Sequence, residues 1–406
     1  MGQSSSLESS KNWTSGNSEI DKFIQYSQGT STYPLEWISY QEFSNIKKIG
    51  SGGFASVYSA YWEEIYGVVA LKVLKGSQNI SDEFMNELKA YYKCFENRKF
   101  GFLRCYGISR DPKTGFYILV LDYMPKHDLR HNLHSLAQEI WEEKLIVLID
   151  IVKDLYNIHE NGFIHRDLHS GNVLIDEMNI PYIADMGLSC PTNPEAGMEL
   201  SLYTGSETSS ENSSGISSSS TSGGVYGILP YIAPELLLGE QFMKATDIYS
   251  FGIIMWEISS GRPIYSDREH DVRLKLEIID GLRPKIAENT PKCYEELMKK
   301  CWDKDPNKRP TVEELHDIFT HWRNECKKDI STNEPSEIRK QFDESDRNMK
   351  RIEQSPIHPG AIYSSRYIAT QKNTINKIIK ITNKIKKNEI EVHNTRNMRM
   401  IIDLPS

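Results

Sequence analysis

No stretch of this 406-residue chain approaches the ~20 consecutive apolar residues that a membrane-spanning helix needs; FGIIMWEI and LIVLIDIV are far too short. The opening MGQSSSLESS has no apolar core of the kind a secretory signal carries. Positive charge is in deficit: the net charge of −8 argues against a chain that coats nucleic acid, which needs a basic field. Cysteine is sparse. The six, at 94, 105, 190, 293, 301 and 326, show neither paired ligand spacing nor a dense cluster, so reduced thiols in an intracellular protein are expected. Internal repeats are missing too. What remains is a soluble composition with room for one large domain or two ordinary ones.

Along the chain, residues 1–33 are rich in Ser and Asn and read as a disordered tail, with order expected from about YPLEWISYQEF onward. A β-rich region follows, with IGSGGFASVYSAYW and the continuous apolar strand GVVALKVL. SDEFMNELKAYYKCF reads as a helix: Ser81 can cap it, and Phe84, Leu88 and Tyr91 recur at helical spacing. FYILVLDYM reads as a strand ending at Pro125, QEIWEEKLIVLIDIVKDLYNIHENG as a long helix stopped by Asn161-Gly162, and DIYSFGIIMWEISSG as a buried helix stopped at Gly261. Strands first and helices after predict an α+β body over 43–325, a β-rich lobe over about 43–124 and a mainly helical one over about 125–325. An insert at 201–222 holds eleven Ser and three Thr, and residues 326–406 form a polar tail that ends Lys- and Ile-rich.

Chemistry concentrates in a few places. In IGSGGFASV, spanning Ile49, Gly50, Ser51, Gly52, Gly53, Phe54, Ala55 and Val57, glycines at 50 and 52 allow backbone to approach phosphate oxygens, although hairpin turns use the same residues. Val57 and Ala70 would wall a flat base, or simply fill a core. Lys72 interrupts an apolar strand and is costly to bury without an anion; Glu87, fifteen residues on, could supply one, the alternative being a surface lysine on an edge strand. HRDLHSGNVLIDEMNIPYIADMGLS is sharper. It sets Asp167, Asn172 and Asp185 on neighbouring turns, oxygen ligands suited to Mg²⁺ and a carboxylate able to orient a hydroxyl and take its proton.

With VALK, a helix glutamate, HRDLxxxN, D-x-G, APE at 233–235, DIYSFG at 247–252 and KDPNKRP at 304–310, the chain resembles the eukaryotic protein kinases over about 280 residues. Its details (LHSGN, TPKCYEELMKKCW, DPNKRP) look like the tyrosine-kinase-like group, especially large fungal families. The resemblance implies the two-lobed kinase fold and ATP with Mg²⁺ as cofactors. It implies Lys72 gripping the α/β-phosphates and pairing with Glu87, Asp167 as catalytic base, and Asn172 and Asp185 holding metal. Leu121 would be the gatekeeper, Met124 the hinge contact to adenine, and Asp128 a neighbour of the ribose. Glu235 would pair with Arg309, and Asp247 would brace the catalytic loop.

Departures are small. Ala55 replaces a loop glycine, Met186 replaces Phe in D-F-G, and His169 stands where many relatives carry Lys. None removes a phosphate, metal or base position, so an active enzyme is expected; the competing reading is a nucleotide-binding pseudokinase scaffold. By group resemblance the acceptor is Ser/Thr, with Tyr left open because Ile228 takes the place of a Thr. Arg166 could engage a phosphorylated activation segment, in which the Ser/Thr insert, Tyr203 and Tyr226 lie. Gly2 with Ser6 fits a myristoylation pattern, and Ile375, Ile378, Ile379 and Ile385 oppose Lys377, Lys380, Lys384, Lys386 and Lys387 on a helical wheel. Together these predict a cytoplasmic protein weakly associated with membrane, against a tail that docks on the body or stays disordered. Protein substrates, unidentified, are the expected partners.

Overall fold

The computed structural model describes residues 13–53, 55–77, 82–192, 223–327, 334–351 and 355–370. The N-terminal insert-free half is a six-stranded sheet built from β1 (Glu36–Trp37), β2 (Phe43–Ser51), β3 (Ala55–Trp62), β4 (Gly67–Leu74), β5 (Cys105–Arg110) and β6 (Tyr117–Asp122). Its spatial order is β1-β5-β6-β4-β3-β2, with β1 parallel to β5 and the other pairs antiparallel. The apolar run of β4 divides between the two faces, as period-2 geometry requires. Val69 and Leu71 join Phe43, Ala60, Trp62, Ile118 and Val120 in an outer cluster. Ala70 points to the main core with Leu119 and Leu121, its partner across the ladder.

Helix α1 (Ser18–Thr30) corrects the expected disorder of residues 1–33. Asn17 caps it, accepting the N–H groups of Glu19 and Ile20, and Ile20, Phe23, Ile24 and Ser27 form a buried stripe at helical spacing. The stripe packs on α2 (Asp82–Glu96), with Phe23 edge-on to Tyr92 at 5.4 Å. Residues 1–12 and the proposed cap Ser81 lie outside the described residues.

The second lobe is helical. After α3 (Leu129–Leu136) comes α4 (Trp141–Glu160), closed by Asn161 and by Gly162 at φ +78°. The helix Lys244–Ser260 is buried nearly all round and ends on Gly261 in the left-handed region. Folded structure continues past the expected domain boundary at 325. The helix Glu337–Arg347 seats Phe342 between Trp141 and Trp322, with ring centroids 5.6 and 5.7 Å away. Ser345 accepts the Trp141 indole N–H at 2.5 Å, and Asp346 accepts its backbone N–H at 3.0 Å. Farther on, the strand Arg366–Ala369 pairs antiparallel with Gly224–Gly227. The whole Ser-rich insert (201–222) and the basic tail (371–406) lie outside the described residues, so the expectations placed on them have no structural counterpart.

Candidate active site

The cleft-facing side of the sheet gathers the residues singled out for a nucleotide. Gly50 lies opposite Val57, Val57 opposite Lys72, and Ala70 opposite Leu121, so alternation puts Val57, Ala70, Lys72 and Leu121 on one face. The glycine turn is closed by the Gly52 N–H donating to the Ala55 carbonyl at 2.8 Å. A Cβ at Gly52 would come no nearer than 3.9 Å to any protein atom, and one at Gly53 would meet nothing within 4 Å. The fold itself therefore does not need glycine there, and what these residues leave room for is a group outside the protein. Ile49 is exposed at the rim, Ser51 shares a hydroxyl contact with Ser56, and Ala55 is buried. Phe54 lies outside the described residues. Met124 is half-buried between β6 and α3. Asp128 caps α3, its carboxylate accepting the His131 N–H at 3.0 Å.

Lys72 is buried, not a surface lysine, and bonds two carboxylates: Glu87 from α2, and Asp185 at 2.8 Å. Desolvation alone would lower the Lys72 pKa, but Asp185 and Glu87 overcome it and keep the ammonium charged. Desolvation pushes the Asp185 carboxyl up, yet the neighbouring Lys72 ammonium overrides this and holds it at about 2. Asp185 stands in the left-handed region at φ +65°, and its backbone N–H donates to the Tyr91 hydroxyl at 2.8 Å. Gly187 is closely packed: a Cβ there would sit 3.1 Å from an Asp185 oxygen and 3.2 Å from a Glu87 oxygen, so either carboxylate would have to give by a few tenths of an ångström. Met186, the residue in place of Phe, is fully buried in the same core as Tyr91.

The catalytic loop hangs from one buried carboxylate. Asp247 accepts the backbone N–H groups of His165 and Arg166, at 2.8 and 3.0 Å, and lies 2.9 Å from the His159 ring. Those bonds hold Arg166 at φ +72° and set Asp167 facing the cleft. Asn172 donates its amide N–H to the Asp167 carbonyl at 2.9 Å, which leaves its carbonyl oxygen for a cation. That oxygen and the half-exposed Asp185 carboxylate are hard donors of the type Mg²⁺ prefers, so the residues fit the implied metal. Burial would raise the Asp167 carboxyl, but His169, 3.7 Å away, and a serine hydroxyl keep it below the usual carboxylate range. Glu235 and Arg309 form a buried bidentate pair at 2.6 and 2.8 Å.

The serine is Ser365, which donates to Asp167 Oδ2 at 2.6 Å. Sequence reasoning missed it. Nothing in YSSRYIAT signals a site, because the contact depends on where a segment nearly 200 positions downstream docks. His169 was noticed as a departure, not as a partner of Asp167. Tyr91 was read as core, while its hydroxyl also fixes the Asp185 backbone.

Comparison with known proteins agrees with this arrangement. The family model described as a protein kinase domain matches residues 43–320. A probable serine/threonine-protein kinase of Dictyostelium discoideum is 30% identical over 69% of this chain and 15% of its own length. A protein kinase and PP2C-like domain-containing protein of Arabidopsis thaliana is 30% identical over 69% of the chain and 44% of its own. Human receptor-interacting serine/threonine-protein kinase 1 is 26% identical over 80% of the chain and 47% of its own. The matches thus span less than half the length of each of these relatives. No helix among the described residues is long and apolar enough to cross a membrane.

Proposed function

We propose that this chain, which belongs to the protein kinase family, transfers the γ-phosphoryl group of Mg-ATP to serine or threonine hydroxyls of protein substrates. The observation that carries the reading is the ionised Asp167 carboxylate, 2.6 Å from a serine hydroxyl, on the loop next to the Lys72–Asp185 pair. Bound ATP supplies the phosphoryl group, and Mg²⁺ offsets its charge. Lys72 presents a fixed cation to the phosphates, Glu87 orients it, Asn172 and Asp185 offer oxygens to the metal, and Asp167 aligns the acceptor hydroxyl and receives its proton. All five groups are present, which favours catalysis over the scaffold alternative. Ser/Thr preference draws on the names of the relatives as well as on the seated serine. The tyrosine-kinase-like grouping rests on LHSGN, TPKCYEELMKKCW and DPNKRP.

Two further parts of the proposal concern residues outside the described ones. Phosphorylation within 201–222 regulates the enzyme, a reading overturned if changing every insert Ser and Thr to Ala leaves activity unchanged. Peripheral membrane association through Gly2 and the basic tail would be refuted by equal soluble fractions of wild type and Gly2→Ala.

The first experiment is intact-mass measurement of the purified chain with ATP and Mg²⁺, with Asp167→Asn alongside. Mass gain in the wild type alone, mapped to Ser or Thr, is the expected result. No gain in either, with Mg-ATP still binding, would transfer the role to a scaffold.

A further inference from the structure

The segment 355–370 crosses the helical lobe as a strap, anchored from His358 onward. Its His358 N–H donates to the Ser266 carbonyl at 2.8 Å, and the Gly360 carbonyl accepts the His270 N–H at 2.9 Å. At Gly360 a Cβ would sit 2.7 Å from the Glu269 side chain, so the close approach needs glycine. Tyr363 donates its hydroxyl to the Ile264 carbonyl at 2.6 Å, and Arg130 both bonds the Tyr363 carbonyl at 3.0 Å and covers its ring at 5.0 Å. Beyond the serine, Arg366 donates to the His270 carbonyl at 2.5 Å, and Lys275 to the Ala369 carbonyl at 2.7 Å.

Between these anchors the backbone adds a strand to the end of the activation segment, in the register Gly227 to Arg366, Tyr226 to Tyr367, Val225 to Ile368 and Gly224 to Ala369. This is strand addition, in which main-chain bonds fix position and alternate side chains find pockets. At Gly224 a Cβ would overlap the Tyr367 ring at 2.4 Å, so the activation segment has glycine where the strap lies closest. Register then decides which serine meets the base. Ser364 is exposed, and its neighbour Ser365 reaches Asp167. A segment that only blocked the groove would need no hydroxyl at that position. A hydroxyl bonded to the base stands where a reacting hydroxyl would.

We propose that Ser365 is an intramolecular phosphoacceptor, and that the strap fills the groove for outside substrates until Ser365 is phosphorylated. The inference rests on the phosphotransferase reading above. As the bond from Ser365 Oγ to the γ-phosphorus forms, the hydroxyl proton passes to Asp167. The bond from that phosphorus to the β–γ bridging oxygen breaks, and its electron pair leaves with ADP. The product group carries about −1.5 to −2 charge and faces the carboxylates of Asp167 and Asp185, so like-charge repulsion expels the strap.

The test uses the full chain, stripped with phosphatase, then given Mg-ATP with casein as an outside substrate. Expected is one phosphate on Ser365, absent in Ser365→Ala. Its rate should not change on dilution, because tethering supplies an effective concentration on the order of mM. Hydrogen exchange gives an independent readout: amides of 366–370 are protected before the reaction and exchange freely after it, and casein is phosphorylated only after a lag. Casein phosphorylation with Ser365 left unmodified would overturn this inference alone, as would a Ser365 rate proportional to protein concentration. Unprotected 366–370 amides in the stripped chain would remove the strap, whatever the activity. Phosphate on neither Ser365 nor casein would take the phosphotransferase reading down with it.

Discussion

Asp167 is kept ionised by its neighbours, against its own burial. Its depressed pKa puts the acid limb of kcat/KM below the ordinary carboxylate value of about 3.9. His169→Ala withdraws a lowering influence, so the limb should move to higher pH; an unmoved limb would show that His169 does not set it. Asp167→Asn should reduce kcat by roughly 10²–10⁴ while nucleotide still binds, read by calorimetry beside the rate assay. The Lys72–Asp185 pair has its own pH signature. With Asp185 held at about 2, its contribution to stability is present above the unfolded carboxylate value and fades as pH falls towards 2. Arg309→Ala would strand Glu235 in a buried site at a cost of about 3–5 kcal/mol, measurable by urea unfolding.

At the level of elements, α1 and α4 give separate tests. Because α1 braces the helix that carries Glu87, Phe23→Ala should cost about 3–5 kcal/mol locally, speed hydrogen exchange in α2 and lower kcat. Unaltered α2 exchange would reduce α1 to a cover. On α4, Lys144 is buried over the Trp141 ring at 4.9 Å, and burial lowers its pKa to about 8. Below that pH the fold must hold a desolvated cation, so Lys144→Met should stabilise the protein by on the order of 1–3 kcal/mol. The gain should shrink as pH rises above about 8, where the lysine is already neutral in the folded state but still charged when unfolded. A gain identical on both sides of that pH would point to packing instead.

Across the whole molecule, what the sequence made legible was whatever one local rule governs. Lys72 could be paired with Glu87 because a charge in an apolar strand demands a partner, and the stops at Gly162 and Gly261 follow from backbone alone. Composition misled at the ends. The stripe of Ile20, Phe23 and Ile24 was readable behind Asn17, but abundant Ser and Asn outweighed it. Phe342 is a lone apolar residue in a polar segment, significant only because Trp141 and Trp322 form its socket. Ser365 needed distant parts of the helical lobe in place before its contact could form. Cutting the chain at two points separates these roles: ending after 351 removes the strap but leaves the Phe342 socket filled, while ending after 327 also empties that socket and should cost a further ~3–5 kcal/mol in urea unfolding, as a large aromatic cavity does.

A tethered serine strand on Asp167 also alters how the enzyme would rank peptides. Before it is modified, every visiting peptide competes with the same resident, so each apparent KM is multiplied by one common factor, set by the ratio of the resident's local concentration to its dissociation constant. The chain ending after 351 should therefore order a peptide library as the unmodified full chain does, with every KM lowered in equal proportion. Weak sequences, invisible against the intact chain, would emerge in that shorter form as ordinary substrates.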